Sequence, residues 1–136
     1  MIVDDEEDLV WTMVRQVPRQ RPGFLVEGFC DPTEALDRLR VQVPDVLVTD
    51  LRMPKLSGID LLIAARQVSP RLPVVVMPAF NTAHVRKEVM KQGAVEYLEK
   101  PFELSAMLDA LDAALGSREG FQGAVSLPML PDLVQL

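Results

Sequence analysis

Three aspartates and one lysine stand where charge is hardest to explain as structure. Asp50 closes the apolar run Val46-Leu47-Val48-Thr49 and opens a loop carrying Pro54 and Gly58. A carboxylate at the carboxyl end of a buried strand lies at the edge where open parallel sheets bind ligands. Asp4 and Asp5 follow the run Met1-Ile2-Val3, and Lys100 follows Val95-Glu96-Tyr97-Leu98. Brought to one edge, the carboxylates repel and need a counter-charge. Carboxylates, a backbone carbonyl and water suit a hard divalent cation such as Mg²⁺. Lys100 adds a second positive point, suited to an incoming phosphoryl oxygen. Taken singly, each residue has a plainer reading. Asp4-Asp5 can be an acidic helix start favoured by the helix dipole, and Lys100 a solvated lysine in a turn before Pro101.

The elements that must position these residues follow from the pattern of apolar runs. Met1-Ile2-Val3 reads as the end of a first strand, and a helix from about Glu6 carries Leu9, Met13 and Val17 until Pro18 and Pro22-Gly23 stop it. Phe24–Phe29 reads as strand two. Asp31-Pro32-Thr33-Glu34 opens the next helix with a capping aspartate, proline at the first helical position and a glutamate reaching back. That helix buries Ala35, Leu36 and Leu39 and ends by Pro44. After the Asp50 strand, Ser57-Gly58 opens a third helix through about Gln67, with Ile59, Leu62, Ile63 and Arg66 on it. Pro73–Met77 is strand four, Thr82 to Gln92 a helix ended by Gly93, and Val95–Leu98 a short fifth strand. A last helix, about Leu104 to Leu115, shows the stripe Leu104, Met107, Leu108, Leu111 and Leu115. Five strands alternating with five helices, several strands continuously apolar, predict an α/β fold with a doubly wound parallel sheet.

Bulk properties narrow the function. The chain has 136 residues, room for one ordinary domain and a short extra piece, and 49% of them are hydrophobic. A net charge of -6 and a pI near 4.7 argue against direct binding of nucleic acid or an anionic membrane. With one cysteine, Cys30, no internal disulfide is possible, and no signal peptide or long apolar span is seen, so a cytoplasmic setting is expected. His84 is the sole histidine, which leaves few parts for a multi-histidine metal site or a histidine-based triad.

The ordered set Val3-Asp4-Asp5-Glu6, Val48-Thr49-Asp50-Leu51-Arg52-Met53-Pro54, Ser57-Gly58, Gly93-Ala94 and Tyr97-Leu98-Glu99-Lys100-Pro101-Phe102 resembles the receiver domain of two-component response regulators over about Met1 to Gly116. The resemblance implies a flavodoxin-like (β/α)5 sheet of order 2-1-3-4-5. It implies that Asp50 accepts a phosphoryl group from a sensor histidine kinase or phosphotransfer protein, with Lys100 assisting. Asp5 would bind Mg²⁺ directly, Asp4 directly or through water, and the carbonyl of Arg52 would be the third protein ligand. The Lys100-Pro101 bond is expected to be cis. Catalysis would be limited to self-phosphorylation and self-dephosphorylation. An aspartyl-nucleophile phosphohydrolase would want a second acid at the position of Arg52, and a flavodoxin would want a phosphate-cradling loop where Asp4–Glu7 stand.

One departure bears on function. Where the family carries Thr or Ser at the end of strand four, this chain has Pro78, with neither hydroxyl nor N–H. The amide of Ala79 remains as a donor. The switch residues by resemblance are therefore Pro78, Ala79 and Tyr97, and the coupling from Asp50 to Tyr97 is expected to be weakened. The alternative reading is a non-switching pseudo-receiver kept as a protein-interaction module. Trp11 is expected at the core edge, Cys30 as a small buried residue and His84 in solvent. Arg86, Lys87 and Lys91 on the fourth helix and Glu103, Asp109 and Asp112 on the fifth could pair across a two-fold axis, making a homodimer possible; solvated charge is the plainer account. Residues 117–136 read as a linker, and Gly120–Ser126 with Leu130–Leu136 resembles the start of a PATAN-type output module.

Overall fold

The computed structural model describes residues 1–79 and 82–123, with side chains through Gly116. Its elements alternate: β1 Ile2–Val3, α1 Glu7–Gln20, β2 Gly28–Phe29, α2 Pro32–Val41, β3 Leu47–Asp50, α3 Gly58–Val68, β4 Val74–Met77, α4 Ala83–Lys91, β5 Glu96–Tyr97 and α5 Leu104–Gly123. The strands are all parallel and ordered β2-β1-β3-β4-β5. This is the doubly wound, flavodoxin-like arrangement expected from the sequence.

Alternation along each strand explains why β3 and β4 read as unbroken apolar runs. Successive side chains point to opposite faces, and both faces are covered. Val3, Leu47, Val74 and Val76 pack with Ala35, Leu39, Leu61, Leu62 and Val89 of α2, α3 and α4. Ile2, Val48, Val75 and Met77 pack with Met13, Val17, Met107, Leu111 and Ala114 of α1 and α5. With both faces covered, the buried charges among the described residues lie where β1 and β3 end, at Asp4 and Asp50.

The helix starts carry the expected caps. Asp31 accepts from the Thr33 amide and Ser57 from the Asp60 amide. Thr82 accepts from the Val85 amide, and each of the three satisfies one otherwise orphaned N–H. Gly93, past the end of α4, has φ +103°, the left-handed backbone that glycine adopts freely. The Lys100-Pro101 peptide bond is cis, as the resemblance implies.

Several expectations are corrected. α1 does not stop at Pro18 but runs to Gln20, because Val17 is fully buried and anchors the turn that holds the proline. β2 covers only Gly28–Phe29, since it pairs only with Ile2 and Val3 of the two-residue β1, and Leu25 is 96% exposed. The buried face of α3 is Leu61, Leu62 and Ala65; Ile59, Ile63 and Arg66 lie at its margin. α5 extends past Leu115 to Gly123. Cys30 is half-buried rather than enclosed, and Trp11 is 42% exposed. His84 is in solvent as expected. The tail resemblance falls, from residue 124 onward, outside the described residues.

Candidate functional site

Parallel register sets the site. Val3 lies beside Thr49, and Asp50 lies beside Met77, so the residues that leave β1, β3 and β4 emerge together. Asp4 is fully buried, Asp50 nearly so and Asp5 exposed. One carboxylate oxygen from each of Asp4, Asp5 and Asp50 lies within 4.8 Å of the other two. Lys100 arrives from beyond β5, its amide bonded to the Pro78 carbonyl at 2.9 Å. Its ammonium stands 2.7 Å from Asp4 Oδ2, 2.9 Å from Glu6 Oε1 and 3.3 Å from Asp50 Oδ2. The four residues singled out from sequence thus converge.

Backbone donors orient the acids. The Glu6 amide donates to Asp4 Oδ1 and the Leu51 amide to Asp50 Oδ1, each at 2.8 Å. That turns the second oxygen of both carboxylates toward Lys100. Asp4 Oδ2 faces the ammonium closely yet has no hydrogen bond of good geometry. Apart from that ion pair it has no partner, so a cation could share it. Three oxygen ligands at this spacing, one of them buried and under-satisfied, fit a hard divalent metal ion.

A pocket of about 260 Å³ opens over the cluster, lined by Asp5, Glu6, Asp50, Leu51, Arg52, Pro78, Ala79, Val85 and Lys100. Arg52, Pro78 and Ala79 thus lie at its wall. Tyr97 does not line it. Its half-buried ring carries the Arg86 guanidinium 4.5 Å from its centroid, a cation–π contact between β5 and α4. Asp112 pairs with Arg21 of α1 at 2.7 Å. Three lining residues were not singled out as site residues from sequence, Glu6, Leu51 and Val85. Glu6 could have been suspected, because glutamate is not among the preferred N-cap residues, and here it occupies the N-cap of α1 with no side-chain capping bond.

The family profile of the response regulator receiver domain matches residues 1–112. This chain belongs to that family. The receiver domain is 33% identical over 114 residues to the DNA-binding transcriptional regulator NtrC of Proteus hauseri, covering 84% of this chain and 24% of that protein. To the response regulator MprA of Mycobacterium bovis it is 32% identical over 129 residues, 95% of this chain and 55% of the relative. The chain thus spans about a quarter of the NtrC relatives it matches. Among solved structures it is similar to FixJ-N, with 34% identity, TM-score 0.73 and coverage of 85% of this chain and 90% of that one. A receiver domain protein from Clostridium thermocellum gives 27% identity and TM-score 0.77 over 88% and 95% of the two chains. MprA and the Clostridium thermocellum protein are named as response regulators, and the comparisons give no support to a non-switching interaction module. Among the described residues no helix of the receiver is long and apolar enough to cross a membrane.

Burial gives the receiver a pH signature. Removal from water, reinforced by the Asp50 charge and partly offset by Lys100 and the Glu6 amide, pushes the Asp4 carboxyl up to about 6. An acid with a raised folded-state pKa contributes stability that is full below its unfolded value and is lost as pH rises through the folded one. Without metal, the melting temperature is therefore expected to fall by roughly 5 °C between pH 4 and pH 7 relative to Asp4→Asn. Parallel thermal melts in EDTA read the difference; identical pH profiles for the two proteins would refute the assignment.

Proposed function

We propose that this receiver is a phosphoacceptor switch in which Asp50 takes a phosphoryl group from the phosphohistidine of a sensor kinase or phosphotransfer protein. An Asp50 oxygen attacks phosphorus, the P–O bond forms as the P–N bond breaks, and the histidine leaves with a proton on its nitrogen. Lys100 holds a phosphoryl oxygen and balances charge on Asp50. Asp4, Asp5, Asp50 and the Arg52 carbonyl would hold Mg²⁺, which when bound draws charge off the transferring oxygens. The observation that carries the reading is the gathering of Asp4, Asp5 and Asp50 within 4.8 Å of one another at a sheet edge, with the Lys100 ammonium paired to Asp4 and Asp50.

Pro78 is buried at the pocket wall and offers no hydroxyl to the phosphoryl group, so the Ala79 amide and Lys100 are its donors on that side. Coupling to Tyr97 then has to pass through the β4–α4 and β5–α5 backbone that the Lys100 amide ties to Pro78. Partners of the switch would be a kinase and an output region; residues 1–116 form the receiver unit and 117–136 lead toward output. A homodimer through α4 and α5 would rest on Arg86, Lys87 and Lys91 against Glu103 and Asp109, since Asp112 is engaged by Arg21. Chemistry beyond self-phosphorylation and self-dephosphorylation is not part of this reading.

The test is direct. With Mg²⁺ and acetyl phosphate, the protein is expected to gain one phosphoryl mass, and Asp50→Asn is expected to gain none. Labelling that survives in Asp50→Asn would overturn the assignment.

A further inference from the structure

We propose that Glu6 is a placeholder for the phosphoryl group: its carboxylate occupies, on the Lys100 ammonium, the position that a phosphoryl oxygen must take. The inference rests on the phosphoacceptor reading above. Of the three carboxylates around Lys100 Nζ, Glu6 Oε1 accepts a hydrogen bond of good geometry, at 2.9 Å, from a residue 94 positions away. Asp4 and Asp50 make close ion pairs with the same nitrogen. The hydrogen bond of good geometry that the ammonium makes is thus the one to Glu6, and a phosphoryl oxygen arriving from the pocket side competes with Glu6 for that proton.

Glu6 is the acid that gives way. Asp4 is fully buried and Asp50 nearly so, and an unpartnered carboxylate there has no water to turn to. The Glu6 side chain is 64% exposed, so water solvates it as soon as it lets go. It also lines the pocket in which the phosphoryl group would sit, so its negative charge opposes an anion directly. Its side chain does no capping work on α1 despite standing at the N-cap. With Pro78 supplying no hydroxyl, competition for Lys100 weighs more heavily on phosphoryl binding than it otherwise would.

Beryllofluoride, a phosphoryl mimic, provides the test. Its dissociation constant would be measured by ¹⁹F resonance at saturating Mg²⁺ for the wild type, Glu6→Gln, Glu6→Ala and Glu7→Gln. Both Glu6 variants are expected to bind roughly three- to five-fold more tightly than the wild type, the scale of an exposed charge pair. Glu7→Gln removes the same charge from the neighbouring position and is expected to leave affinity unchanged. Equal or weaker binding by the Glu6 variants would overturn the proposal, as would an equal gain in Glu7→Gln, which would reduce the effect to net charge. A wild type that binds no beryllofluoride would instead remove the phosphoacceptor reading on which the proposal stands.

Discussion

Lys100→Met is expected to slow phosphorylation of Asp50 by acetyl phosphate about a hundredfold, the scale of losing one preorganised donor at a transferring group. The same change is expected to destabilise the metal-free protein by about 3–5 kcal/mol, because breaking a buried ion pair strands the charge left behind. Lys100 is 16% exposed and sits within 3.3 Å of Asp4, Asp50 and Glu6. Burial alone would depress its pKa, yet the close contacts with Asp4 and Glu6 and the Asp50 charge raise it above the ordinary lysine range. It therefore stays charged wherever the protein is folded and serves as the resident counter-ion. Urea unfolding in EDTA and again in Mg²⁺ separates the two roles: the metal should restore most of the lost stability while phosphorylation stays slow. A variant as stable as the wild type in EDTA would show that the ammonium is not what holds the acids together.

Gly58→Ala is the second large effect. A Cβ at this position would overlap the Asp50 carbonyl oxygen and stand 2.6 Å from Leu51 Cα and 2.8 Å from the Asp50 carbonyl carbon. These are backbone atoms, which cannot rotate aside. The Gly58 amide also donates to the Leu51 carbonyl at 2.8 Å, closing the loop that carries Arg52. Relief of the overlap must move Asp50 itself. The expected cost is about 3 kcal/mol, at the upper end for forced overpacking, with roughly tenfold weaker Mg²⁺ binding as the carboxylate leaves its place. Thermal melts and a Mg²⁺ titration measure both. Gly116→Ala is the control, since an added Cβ there meets nothing within 4 Å. Unchanged Mg²⁺ affinity in Gly58→Ala would mean that the loop absorbs the methyl without moving Asp50.

The exposed charge pair at the end of the β3–α3 loop is of a different order. Lys55 reaches Asp31 at 2.7 Å and ties the β3–α3 loop to the start of α2, but Lys55 is 64% exposed. Hydrogen bonds from Lys55 and Thr33 hold the Asp31 carboxyl well below the usual carboxylate range. Such a pair orders a loop more than it stabilises a fold.

Much of this protein follows from sequence because its signals are local. The continuous apolar run Val74–Met77 means a strand covered on both faces, and Asp31, Ser57, Thr82 and Gly93 mark helix ends through bonds or backbone angles within a few residues. The convergence of Asp4, Asp5, Asp50 and Lys100 was also legible, since parallel strands of one sheet must deliver their carboxyl ends to one edge. What sequence could not decide were matters of partner and extent. β2 begins only at Gly28, opposite Ile2, and not at Phe24 where its apolar run begins. Pro18 stays helical because Val17 is held in the core. Asp112 chooses Arg21 across 91 residues, and Glu6 chooses Lys100 across 94. Such choices depend on how far each helix is rotated about its axis, which packing of the two hydrophobic layers sets and no local spacing encodes.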